Sequence, residues 1–247
     1  MAASAFAQDR LVLVGGGDIP PAAAERFVAW AGGPKARILL IEWASGIPEE
    51  SDSYLKEVLS PYQPAAIETA PFLSEMPAKK KLFLEQLDRA TGVFFGGGDQ
   101  NHVMDLLDQS PDLLARLRSA AARAVFGGTS AGTAVMAGTM ITGEGDFTVI
   151  DASQVGTRPG LGLTRDIIVD QHFIKRMRSN RLFSLVLKSS ERWGLGIDEG
   201  TAVALENCRT AEVLGPKPVM LIDGRAVPGK LVIEMMPPNQ VFELTSK

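Results

Sequence analysis

The chain has 247 residues, of which 45% are hydrophobic and 22% charged, the balance of an ordinary folded protein and not of a disordered one. A net charge of −4 leaves no global basic field to attract nucleic acid. The single cysteine excludes an internal disulfide and a cysteine-built metal cluster, and two well-separated histidines argue against a zinc site.

The first nine residues, Met1 to Asp9, read as a disordered stub, and Ala5-Phe-Ala7 is open to a second reading as the remnant of an export signal. The compartment is therefore open between cytoplasmic and exported. No apolar run reaches the roughly 18 residues that a membrane span needs.

Residues 11–17, Leu-Val-Leu-Val-Gly-Gly-Gly, predict a buried strand ending in a turn. A helix follows over 20–31, a strand over 36–41, a helix over 48–59 and a strand over 65–69. A charged helix over 79–88 precedes a strand over 92–95 that stops at Gly96-Gly-Gly98. Helices over 101–107 and 112–122 lead to a strand ending at Val125-Phe126, a tight turn at Gly127-Gly128, and a small-residue buried helix starting over 131–137.

This alternation predicts a mostly parallel sheet covered on both faces, with the ligand site beyond the carboxyl ends of its strands. The glycine clusters at 15–17, 96–98 and 127–128 all fall at that edge. None has a dinucleotide or phosphate-loop spacing, and no cofactor is expected. Beyond Gly138 the pattern becomes short: a strand over 166–170, a helix over 176–189, and a meander of mostly antiparallel strands through 196–197, 201–205, 211–214, 219–222 and 231–235. With no linker or repeat, residues 1–247 read as one domain.

Gly128-Thr-Ser-Ala-Gly132 fits the G-x-S-x-G elbow, which pushes a serine hydroxyl out of a tight strand-to-helix turn. A glycine-rich turn with a bystander serine is the competing reading, so a base and an orienting acid decide. His102 falls in the first turn of a helix capped by Asp99, where the positive helix end disfavours imidazolium. His172 instead follows an apolar strand and precedes a basic segment, which favours it as the base. For the acid, Glu199 in Gly194-Leu-Gly-Ile-Asp-Glu-Gly200 competes with Asp198 and Asp170. The segment Lys175-Arg-Met-Arg-Ser-Asn-Arg181 reads as a basic helical face suited to clamping carboxylates.

Together, Phe95-Gly-Gly-Gly-Asp-Gln100, Gly128-Thr-Ser-Ala-Gly132, Val169-Asp-Gln-His-Phe173 with the arginines that follow, and Gly196-Ile-Asp-Glu199 resemble the S51 peptidase family. The likeness is nearer to its cyanophycin-degrading members than to its aspartyl dipeptidases. It implies a class I glutamine amidotransferase-like, flavodoxin-like three-layer α/β sandwich, here with a C-terminal antiparallel extension. It also implies a serine exopeptidase, expected as a homodimer, whose partner is cyanophycin or peptides containing β-Asp-Arg.

Carried over by motif, Ser130 is the nucleophile, His172 the base and Glu199 the orienting acid. The N–H groups of Gly98 and Ala131 supply the oxyanion hole, and Gln100, Asp170, Gln171, Arg176, Arg178 and Arg181 line the substrate pocket. The bulkier spacing between the arginines departs from the family pattern and leaves the pocket's shape open. A dipeptidase, and an inactive amidotransferase-like binding protein, are the rival readings.

Overall fold

The computed structural model describes residues 10–146, 148–188, 193–225 and 229–244, so the expected N-terminal stub lies outside the described residues. The first half alternates as the sequence predicts. Strand β1 (Arg10–Val14) leads to helix α1 (Pro21–Trp30), β2 (Arg37–Ile41) to α2 (Pro48–Leu59), and β3 (Ala66–Thr69) to α3 (Met76–Arg89). After β4 (Gly92–Phe95) come α4 (Gln100–Gln109) and α5 (Pro111–Ala121), and then β5 (Val125–Thr129) runs into the four-residue α6 (Ala131–Ala134). Gly127 and Gly128 are thus paired strand residues and not the expected tight turn, because pairing with β4 on one side and β1 on the other holds them in the strand.

Local chemistry starts these helices. Pro21, Pro48 and Pro111 occupy the first helical position, where the missing N–H costs nothing. Asp99 caps α4 by accepting from the Asn101 N–H at 2.8 Å.

The second half is β6 (Thr139–Gly145), β7 (Val155–Pro159), β8 (Ile167–Gln171), α7 (Ser179–Lys188), β9 (Trp193–Ile197), β10 (Ala202–Glu206), β11 (Thr210–Leu214), β12 (Val219–Asp223), β13 (Val232–Met236) and β14 (Val241–Glu243). The main sheet has the order β14-β11-β10-β1-β5-β4-β2-β3, parallel from β1 to β3 and antiparallel beyond β1. Strands β13-β12-β9-β8 form a separate four-stranded sheet in which β8 and β9 are parallel. The C-terminal strands are therefore not one meander: β10 and β11 extend the main sheet, whereas β9, β12 and β13 belong to the second. The β6–β7 hairpin and β14 have no counterpart in the sequence reading.

Alternation along the central strands explains the layering. Leu11, Leu13, Leu39 and Ile41 join one core cluster and Val12, Val14, Ile38 and Leu40 the other, so both faces of the sheet are buried. The first cluster also takes in Val169, Leu195 and Ile197, which places the second sheet on that face of the main sheet. The second sheet's other face is covered by Leu182, Leu185 and Val186 of α7.

Register then fixes the site. Val14 pairs with Thr129, Gly128 with Phe95 and Phe95 with Ile41, so Gly15, Ser130, Gly96 and Glu42 come off the strands at one edge. Gln171 pairs with Ile197, which brings His172 and Glu199 off the second sheet together.

Candidate active site

Ser130 sits at φ 54° and ψ −115°, a conformation that a non-glycine residue holds only when its surroundings enforce it. The enforcement is local. The Ser130 N–H donates to the Val14 carbonyl at 3.1 Å, and the Thr133 hydroxyl lies 2.7 Å from the carbonyls of both Val14 and Gly128, which share its one proton. A Cβ at Gly128 would lie 2.5 Å from the Gly132 carbonyl group and one at Gly132 would collide with the Phe95 oxygen, so the elbow requires glycine at both places.

The imidazole of His172 reaches both partners. Its Nε2 lies 2.7 Å from the Ser130 hydroxyl and its Nδ1 lies 2.6 Å from Oε1 of Glu199. A carboxylate can only accept, which assigns the proton to Nδ1 and leaves Nε2 to accept from serine. The residue is itself at φ 47°, its N–H donating to the Gly15 carbonyl at 2.7 Å. The ring lies so close over Gly16 that a Cβ there would overlap it. The Gly200 N–H in turn donates to the Gly16 carbonyl at 2.9 Å, so the glycine turn after β1 seats His172 and Glu199 together. The sequence places this turn at the functional edge without giving it a part; the available signal is the run of three glycines at the end of a strand.

Of the three competing acids, only Glu199 meets the imidazole. Oδ1 of Asp198 accepts from the Lys175 N–H at 2.9 Å and Oδ2 accepts from Lys217 at 3.2 Å. Burial opposes the charge on Asp198, but these bonds together hold its pKa below the usual range. Asp170 is engaged by Arg181, whose Nε donates to it at 2.7 Å and whose Nη2 donates as well. Both are about 1% exposed, so the pair is buried and not presented at the surface. His102 is exposed beside Asp99 on α4.

The arginine segment differs from its expected form. The helix begins at Ser179, not Arg176, because Met177 adopts φ 51° and breaks any earlier turn. Residues 172–178 instead form a tight turn in which the Arg176 N–H donates to the His172 carbonyl and the Arg178 N–H to that of Phe173. The expected helical spacing is thus absent: Lys175 and Arg178 share no helical face.

Arg176 is exposed, while half-buried Arg178 donates to the backbone oxygen and Oε1 of Gln171 at 2.7 and 2.8 Å. Burial, reinforced by the nearby Arg181, brings the Arg178 pKa down to about 10, so it remains charged at neutral pH. The His172 pKa is lowered first by burial and further by Arg176 and Arg178, against the opposing pull of Glu199. Gln100 is buried, with its amide nitrogen donating to the Ile141 and Thr142 carbonyls in the β6–β7 hairpin.

Among the described residues there is no group of three or more His, Cys, Asp or Glu side chains placed to hold a metal ion, and no helix long and apolar enough to cross a membrane.

Residues 11–213 match the profile of peptidase family S51. The chain is 35% identical over 203 residues to a cyanophycinase of Synechococcus elongatus, an alignment covering 81% of this chain and 63% of that protein, less than two thirds of the relative's length. It is 33% identical over 205 residues to a cyanophycinase of Geminocystis herdmanii, covering 82% of this chain and 75% of the relative. In fold it is similar to a peptidase from an acI-B1 Actinobacterium, with a TM-score of 0.74, 20% identity and coverage of 97% and 98% of the two chains. The four motifs, the mostly parallel sheet flanked by helices and the matched span give one answer: this chain belongs to peptidase family S51.

Proposed function

We propose that the protein is a serine-type exopeptidase that hydrolyses cyanophycin, a poly-aspartate chain with arginine on each β-carboxylate, to β-Asp-Arg dipeptides. The observation that carries the reading is the continuous path from the Ser130 hydroxyl through the His172 ring to Glu199, next to the turn bearing Arg176 and Arg178. The similarity to cyanophycinases supports the choice of polymer.

In this reaction Ser130 attacks the backbone carbonyl while Nε2 of His172 takes its proton, and Glu199 stabilises the imidazolium that results. The negative oxygen of the tetrahedral intermediate receives the N–H groups of Ala131, the first of its helix and so without an intrahelical acceptor, and Gly98. His172 returns the proton to the leaving amine, and water activated by the same imidazole then hydrolyses the ester. Each substrate unit carries a free α-carboxylate on its arginine. Arg176 and Arg178 are the groups that recognise it, with Gln171 orienting Arg178 and the Asp170–Arg181 pair supporting the turn from below.

Incubation with insoluble cyanophycin followed by mass analysis of the soluble products tests the reading. β-Asp-Arg is the expected product, and Ser130→Ala should lower kcat by roughly four orders of magnitude or more while retaining the fold. Intact polymer with rapid cleavage of short aspartyl peptides would assign the same residues to a dipeptidase.

A further inference from the structure

Glu42 leaves the end of β2 at the same sheet edge as Ser130, yet the reaction above gives it no part. Its side chain is about 1% exposed. Oε2 lies 2.5 Å from the Ser51 hydroxyl, and Oε1 has no hydrogen-bond partner among the described residues. The carboxyl group rests directly on Gly96, where a Cβ would collide with Oε2.

The same stretch grips the glycine turn at both ends. The Gly96 N–H donates to the Ile41 carbonyl at 3.0 Å and the Asp99 N–H to that of Ala44 at 2.8 Å. On its far side the turn meets Ser130: a Cβ on Gly97 would lie 3.6 Å from that of the serine. The carboxyl group and the serine are therefore separated by the turn that carries the Gly98 N–H.

The charged groups facing Glu42 come from α2. Asp52 and Lys56 act on it with opposite signs and are bonded to each other at 2.7 Å. Beyond the turn, the Asp99 side chain is occupied at the Asn101 N–H. Burial, aided by Asp52 and opposed by Ser51 and Lys56, raises the Glu42 pKa to about 7.

We infer that Glu42 is a positioning residue for acylation: as a neutral acid it fixes the Gly96–Gly98 turn, and once ionised it opposes the negative charge that develops on the oxyanion. The inference rests on the proposed roles of Ser130 and His172. Two like charges held near one another in a poorly solvated site raise the energy of the transition state more than that of the resting enzyme.

The test is the pH dependence of Ser130 phosphonylation by a small alkyl fluorophosphonate, followed by mass spectrometry, which needs no peptide substrate. In the unmodified protein the rate should rise as His172 loses its proton and then fall, on the order of tenfold, as pH passes through about 7. Glu42→Gln should keep the rise and abolish the fall. Ser51→Ala, which removes a group that favours ionisation of Glu42, should move the fall to higher pH.

Absence of a fall in the unmodified protein, or the same fall in Glu42→Gln, overturns the inference. If Glu42→Gln does not fold, an unmoved fall in Ser51→Ala overturns it instead. Failure of Ser130 to react at any pH would sink the nucleophile assignment as well, so the two readings fail in distinguishable ways.

Discussion

Around Ser130 and His172 the site is shaped by backbone: two residues held at φ 54° and 47°, carbonyls of Val14 and Gly15 taking their N–H groups, and glycines wherever a neighbour comes too close. Around Arg178 it is shaped by side chains, with Arg178 on Gln171 and Arg181 on Asp170. The difference teaches that Ser130 and His172 are placed by backbone that depends on glycine at positions 16, 128 and 132, where any Cβ would collide. The arginine turn instead depends on one buried ion pair, Asp170–Arg181, and on the Gln171 oxygens that hold Arg178.

Substitutions on each side test this contrast. Glu199→Gln leaves the backbone seat in place but removes the charge that stabilises the imidazolium and adds an NH2 that can donate to Nδ1 and favour the wrong tautomer, so kcat should fall by about 10²–10⁴ with little change in thermal stability. Asp170→Asn takes the carboxylate from a buried guanidinium and should cost about 3–5 kcal/mol in a denaturant titration. A loss well under ~1 kcal/mol would mean that the fold around the turn does not depend on this pair.

Arg178→Ala should reduce kcat/KM on cyanophycin by roughly tenfold, mostly through KM, because it removes a binding group and not a reacting one. An unchanged KM would remove Arg178 from the pocket.

The smallest effect concerns protons. Because the folded protein lowers the His172 pKa, the imidazole stays neutral below its ordinary value of 6.5, and on the acid side activity should be lost as pH falls through that lowered pKa. The same sign holds for stability: the unfolded chain takes up the proton first, so this contribution is present above pH 6.5 and is lost on acidification. Arg178→Ala withdraws one of the charges that repel imidazolium and should shift the acid limb of the kcat/KM profile upward. A limb that does not move would separate Arg178 from the imidazole.

The backbone-built region is the more legible in sequence. Gly128, Ser130 and Gly132 mark the elbow because close packing leaves no substitute for glycine there, and the apolar strands feeding it are read from hydrophobic runs alone. The choice among Asp170, Asp198 and Glu199 is not legible from spacing. Asp198 and Glu199 are adjacent, and what separates them is that Lys175 and Lys217, distant in the chain, claim the first.

The helix expected from Arg176 does not form there for a related reason. Met177 is a good helix former in isolation, and its left-handed backbone belongs to a turn tied to His172, Phe173 and Asp198. Likewise, nothing local tells β10 to pair with β1 while β9 joins another sheet, since both are short apolar runs whose partners are set by tertiary packing. Glu42 gives no sequence signal, because a lone glutamate after a strand carries no motif; only its burial against Gly96 marks it.

Ser130 leaves β5 of the large sheet, whereas His172 and Glu199 leave β8 and β9 of the small one. With these three in their proposed roles, hydrolysis needs two separately hydrogen-bonded layers to stay in contact, and a slip of about an ångström between them would part the hydroxyl from its imidazole. On gentle heating, turnover should disappear before the helical circular-dichroism signal does, making the enzyme's own rate a gauge of how firmly its layers adhere.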